Sequence, residues 1–155
     1  MREYKFRGKM IPENEWIYGT LLRIPAPPYC WGENPPKDKY YIQFADPRYM
    51  PDWGMPYKMV QGEVNPETVG QYTGLKDRNM KEIYEGDIVK IKNENVEIIC
   101  EIIYLDTAFR TKKFVYGSYY DCLYYWYAND FEIEVIGNVW EDSDLLNDNK
   151  NTESY

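Results

Sequence analysis

The chain has 155 residues, 44% hydrophobic and 28% charged, with a net charge of −8. That length is one ordinary domain or two small ones sharing a core, able to bury roughly 70% of its unfolded surface, and the balance is globular rather than disordered. No apolar run approaches the ~18 residues of a membrane span and the opening Met1 to Phe6 lacks a signal-peptide core, so a soluble, cytoplasmic protein is expected.

Proline divides the elements. All ten prolines lie at or before Pro66. Tyr4-Lys5-Phe6 reads as an initial strand and Trp16 to Leu22 as a second. Pro25-Ala26-Pro27-Pro28 and Asn34-Pro35-Pro36 then force extended, non-helical backbone. Lys39 to Phe44 consists of strand formers, Asp46 to Pro56 reads as an irregular loop, and Tyr57 to Val60 as a weak strand. After Thr68 the texture changes. Val69 to Thr73 leads into the polar turn Asp77-Arg78-Asn79, followed by Ile83-Tyr84 and Glu85-Gly86-Asp87. Asp87 to Lys92 alternates apolar and polar residues, Val96 to Leu105 is a β-branched run of the same period, and Asn93-Glu94-Asn95 between them predicts a hairpin. Phe114 to Tyr116, Leu123 to Tyr127 and Glu132 to Trp140 complete an antiparallel set, and only Asp142 to Leu146 reads as helical, briefly.

The expected fold class is therefore mainly β with little helix. Short strands with tight turns in the C-terminal half predict a small SH3-like barrel, from about Val69 to Trp140, whose sheet closes on itself. The expected organisation is a proline-rich N-terminal β lobe over 1–66, partly separate, the barrel over 67–141, and an acidic, partly disordered tail over 142–155.

Two features narrow the chemistry. There is no histidine, which removes the usual general base near neutral pH, the Ser-His and Cys-His nucleophile pairs and imidazole metal ligands. Cys30, Cys100 and Cys122 are odd in number and lack C-x-x-C spacing, against both a disulfide framework and a thiolate zinc site. Half of the net charge sits in Glu141 to Tyr155, and the remaining 140 residues carry 21 acids against 17 bases. Such a body repels phosphate backbones and suits solubility or a basic protein surface. The compact basic cluster is Arg110-Thr111-Lys112-Lys113.

A resemblance attaches at Glu67-Thr68-Val69-Gly70-Gln71-Tyr72-Thr73-Gly74-Leu75-Lys76-Asp77 and continues through Lys81-Glu82-Ile83-Tyr84-Glu85-Gly86-Asp87-Ile88-Val89. With the opening Met1 to Arg7 and the ending Glu134 to Glu141, these residues resemble the YopX family of phage and prophage proteins. The resemblance implies an SH3-type barrel portion, a phage or prophage origin and a tendency to self-assemble. It carries no established activity and no functional residues. Similar sequences have Asp-Lys-Asn-Gly where this chain has Asp77-Arg78-Asn79-Met80. Asn-Gly suits a type I′ turn, and Met80 would strain it, so a rearranged turn or another type is expected here.

Gly74, Asp77, Gly86, Asp87 and Gly137 read as a structural turn motif, with Asp87 able to bond local amides. Tyr72, Asp77, Glu82, Glu85 and Asp87 could gather carboxylates for acid/base work or a divalent cation. Their spacing fits no calcium loop, and solvated loop acids are the simpler reading. No cofactor and no metal are implied.

The densest feature is aromatic: Phe114, Tyr116, Tyr119, Tyr120, Tyr124, Tyr125, Trp126, Tyr127 and Phe131 fall within eighteen residues. On a strand Tyr124 and Trp126 face one side and Tyr125 and Tyr127 the other, and a thin barrel buries one side only. The second side must pack within the chain, form a homo-oligomer contact, or present a platform that stacks bases or nucleotides. Tyr119, Tyr120, Tyr125, Trp126 and Tyr127 are the candidate interface residues. The preferred reading is a non-enzymatic, self-associating phage accessory protein that binds a host protein or small ligand, with counter-defence as its role. The rivals are a nucleic-acid-binding SH3-like module and a carboxylate–metal enzyme.

Overall fold

The computed structural model describes residues 3–29, 31–32, 34–46, 58–114 and 118–146, and of 113–114 and 118–120 the backbone alone. The expected loop from Pro47 to Pro56, Tyr57, the continuation of a strand through Val115 and Tyr116, and the tail beyond Leu146 lie outside the described residues. The chain is mainly β, in antiparallel pairings, and divides into two compact units, 1–71 and 72–155. No helix of the described residues is long and apolar enough to cross a membrane.

In the first unit β1 (Phe6–Lys9), β2 (Trp16–Ile24), β3 (Lys39–Ala45) and β4 (Met59–Val64) form a sheet in the order β4-β3-β2-β1, and β1 also pairs with the opening of β5 (Gly70–Lys76). The first strand begins at Phe6 rather than Tyr4, and β4 runs four residues past Val60. The continuations of β1 past Phe6 to Lys9 and of β4 past Val60 run through Gly8 and Gly62, which interrupt the apolar pattern but are what the packing admits. A Cβ on Gly62 would lie 2.6 Å from Met10 Sδ and 2.9 Å from Ile17 Cδ1, and one on Gly8 3.1 Å from Val64 Cβ. Ile17, Ile42 and Val64 form the core here, with Phe6, Leu21 and Phe44 packed against it. The sheet bends until the end of β1 reaches β4: the Ile11 N–H donates to the Glu63 carbonyl at 2.8 Å and the Asn65 N–H to the Lys9 carbonyl at 2.9 Å.

In the second unit the rest of β5 pairs with β6 (Glu82–Tyr84). β7 (Asp87–Lys92), β8 (Glu97–Leu105), β9 (Ala108–Phe114), β10 (Ser118–Cys122) and β11 (Glu132–Asn138) form a sheet in the order β10-β9-β8-β7-β11. Alternation sets the register. Ile91 pairs with Ile98 and Ile133, and Val89 with Cys100 and Val135, which brings all six to one face. They join Ile83, Ile102 and Leu123 in the core, where each fully buried Ile is worth roughly 1.5–3 kcal/mol. The hairpin at Asn93 forms as expected, with Asn93 Oδ1 accepting the N–H groups of Asn95 at 2.9 Å and Val96 at 2.8 Å.

Two expectations are corrected. The five-stranded sheet is open, with β10 and β11 at its ends, so strand pairing does not close a barrel among the described residues. Along β11 a turn supplies partners: the Arg78 N–H donates to the Ile133 carbonyl at 2.9 Å, and the Val135 N–H to Asp77 Oδ2 at 3.1 Å. Leu123 to Tyr127, expected as a strand, is part of α1 (Leu123–Ala128). Tertiary packing overrides β propensity there. Leu123 and Trp126, three residues apart, turn to the core together, and Trp126 Nε1 donates to the buried Thr111 Oγ1 at 3.1 Å. The helix stops at Asn129, whose Nδ2 donates to the Tyr125 carbonyl at 2.7 Å, before Asp130 at φ 57°.

Candidate binding surface

The turn motif places its residues at bends. The Asp77 carboxylate is buried and takes three backbone donors: Asn79 at 2.8 Å and Lys81 at 2.9 Å on Oδ1, and Val135 on Oδ2. Asp87 is buried as well, and its Oδ2 accepts the Tyr84 N–H at 2.7 Å. These two acids are therefore not solvated loop groups, because amide donors replace water around each carboxylate. Gly86 has φ 79° and lies under the Trp140 ring, so any Cβ would collide with it. At Gly137 a Cβ would press on the Asp142 carboxyl, which accepts the Asn138 N–H at 3.0 Å. Gly74 has φ 89° and open space where a Cβ would be.

The turn after Asp77 is not type I′. The Met80 N–H donates to the Asp77 carbonyl at 3.0 Å, the Asp77 N–H to the Lys81 carbonyl at 2.8 Å, and Met80 alone of the three loop residues has positive φ, 65°. This is a three-residue hairpin loop with its last residue left-handed, a position that favours glycine.

On α1 the helical period sorts the aromatic cluster. Tyr124, Tyr125 and Tyr127 are 66%, 53% and 51% exposed, while Trp126 is half-buried with Phe131 edge-on at 5.0 Å. Tyr125 and Trp126, expected on opposite faces, meet edge to face at 5.3 Å. Of the candidate interface residues, Tyr125 and Tyr127 are thus presented to solvent and Trp126 is not. Tyr119 and Tyr120 lie on β10 by backbone, and their side chains are outside the described residues. Tyr124, which strand alternation grouped with Trp126, is the most exposed of the α1 tyrosines.

Tyr127 also lines a cleft of about 700 Å³. One wall is the β5–β6 hairpin, with Leu75, Lys76, Arg78 and Met80. The other is the connection from α1 into β11, with Asp130, Phe131 and Glu132. A smaller hollow of about 310 Å³, lined by Lys92, Asn93, Glu94, Asp130 and Glu132, adjoins it through the last two residues. Glu132 is shared between cations, 3.0 Å from Arg78 Nη1 and 3.3 Å from Lys92 Nζ, and Arg78 Nη2 reaches Glu134 at 2.7 Å. Lys92 first and Arg78 second hold the Glu132 carboxyl below the usual carboxylate range, while Glu132 and Glu134 raise the Arg78 guanidinium. The sequence reading missed this cleft because its walls, 72–80 and 127–133, come from segments far apart in the chain. The one local signal was Asn129-Asp130 as a helix stop.

In the basic cluster on β9, Arg110 lies 3.8 Å from Asp106 and Lys112 3.6 Å from Glu101, while the Lys113 side chain is outside the described residues.

Among solved structures, the crystal structure of protein EF1440 from Enterococcus faecalis is similar at 22% identity, covering 94% of this chain and 99% of that one, with a TM-score of 0.48. No curated protein matches. The family described as YopX protein matches residues 5–147, nearly the whole chain, and this chain belongs to the YopX family.

Proposed function

We propose that this protein is a non-enzymatic, self-associating accessory protein of phage or prophage origin that works in the bacterial cytoplasm by binding a host protein or small ligand. Blunting a host defence is the role that phage kinship supports. The observation that carries the reading is α1, a six-residue helix without a charge that holds three half-exposed tyrosines on a molecule of net charge −8. Contiguous aromatic surface of this kind is enriched at protein contacts and rare on isolated monomers. The finer fold reading, an SH3-like module within 67–141 and a β lobe over 1–66, belongs to the same proposal and is supported by the short strands and tight turns at 93–96 and 105–108.

Light scattering at micromolar concentration tests it. The expected mass is at least twice that of the monomer, and changing Tyr125 and Tyr127 together to Ser should lower it while the fluorescence of the packed Trp126 is retained. A monomeric wild type refutes self-association, and an unchanged mass in the folded double variant removes α1 from the contact.

A further inference from the structure

We propose that the cleft of the second unit receives an arginine side chain carried on an extended segment of a basic partner protein. This deepens the reading that the chain acts by binding protein. Three observations converge on guanidinium chemistry. The hollow is about 700 Å³, inside the usual range of roughly 300–1,000 Å³ for ligand pockets, and has the aromatic residues Tyr127 and Phe131 in its lining. Aromatic faces attract a flat, delocalised cation more than an anion. The smaller hollow continues past Asp130 and Glu132 to Glu94, so a chain running along the groove passes all three carboxylates.

Charge pairing decides the sign of the ligand. The cations Arg78 and Lys92 are both engaged, with Glu132 shared between them and Glu134 completing the Arg78 fork. Among the described residues Asp130 and Glu94 have no ion-pair partner. Asp130 at the junction and Glu94 in the smaller hollow stand against one further cation, Lys76 on the wall of the larger, so the two hollows together keep an excess of one exposed carboxylate that favours a cation over an anion where they meet. Arginine satisfies the site in a way that water or Lys cannot, because its fork reaches a carboxylate while its plane lies on a ring. A second copy of this chain is the poorer occupant. Its net charge is −8, and its Arg110 and Lys112 are already paired within their own sheet.

The test is a titration of the ¹⁵N-labelled full chain with an acetylated, amidated Arg-Gly repeat peptide, the same peptide with citrulline for arginine, and spermidine. Amide shifts are expected at 74–80 and 127–133 with the arginine peptide and not with citrulline. D130N keeps a residue that tolerates left-handed backbone and removes the charge; it should weaken binding about fivefold, as should E94Q, the size of one partly exposed charge pair. Equal binding of the citrulline peptide, equal or tighter binding of spermidine, shifts away from the cleft, or unchanged affinity in D130N would each overturn the assignment. Self-association is read in mass and this site in residue-specific shifts, so either can fail without the other.

Discussion

Met80 holds a left-handed backbone, φ 65°, with its side chain 71% exposed and nothing to gain from packing. A side chain with a Cβ costs about 1–2 kcal/mol in that conformation, and glycine gives back about 0.5–1 kcal/mol through chain entropy. Met80→Gly should therefore stabilise the protein by about 0.5–1 kcal/mol, read as a raised urea midpoint with unchanged slope. A lowered midpoint would mean that Met80 makes a contact worth more than its strain. The turn was half-legible. The absence of Gly at residue 80 warned that a type I′ turn would be strained, and the loop is indeed another type, yet the left-handed strain persists at Met80 itself. The Asp106-Thr107 turn was not legible at all. Both residues have positive φ, 49° and 66°, and join β8 to β9 as a two-residue hairpin loop, but a β-branched Thr is the last residue expected there.

At the scale of elements, α1 separates what the sequence shows from what it hides. Periodicity of two identified β7 and β8 and the hairpin between them, because one face of each strand is apolar and local Asn chemistry closes the turn. In Leu123-Tyr124-Tyr125-Trp126-Tyr127 every residue is apolar or aromatic, so no period can be read and propensity favours a strand. The helix is imposed by the Leu123 and Trp126 pair seeking one core and by the Thr111 hydroxyl that receives the indole N–H. The two geometries make different predictions. A strand groups Leu123 with Tyr125, and a helix groups it with Trp126. Leu123→Ala and Trp126→Ala should each cost about 2–5 kcal/mol, and Tyr125→Ala less than about 1 kcal/mol, measured by chemical denaturation. A Tyr125 cost matching that of Leu123 would contradict the helical face. The glycine-interrupted strands β1 and β4 were misread for a related reason, since Gly8 and Gly62 carry no hydrophobic signal although the packing depends on their size.

At the scale of the molecule, ion pairs link both units to pH. In the first, the Asp38 carboxyl is held below its ordinary range by the Ala26 N–H and then by Arg23, and Glu63 by Lys39 and the Tyr41 hydroxyl. In the second, Lys92 and Arg78 do the same for Glu132. A carboxylate whose folded pKa is depressed contributes stability that is fully present above its unfolded pKa and is lost as pH falls through the folded value. The melting temperature should hence stay level from neutrality to about pH 5 and fall as the pH drops below about 4, the ordinary carboxylate range. Self-repulsion among the 18 Lys and Arg side chains of an acidified chain would also lower it, and added salt weakens both effects. The Glu63→Gln and Glu132→Gln double variant separates them. It should melt lower than wild type at pH 7 and lie closer to it at pH 3, because the pairs it removes are lost as the pH falls through their depressed folded pKa. An equal gap at both pH values would show that these carboxylates act through packing, leaving the acid response to net charge.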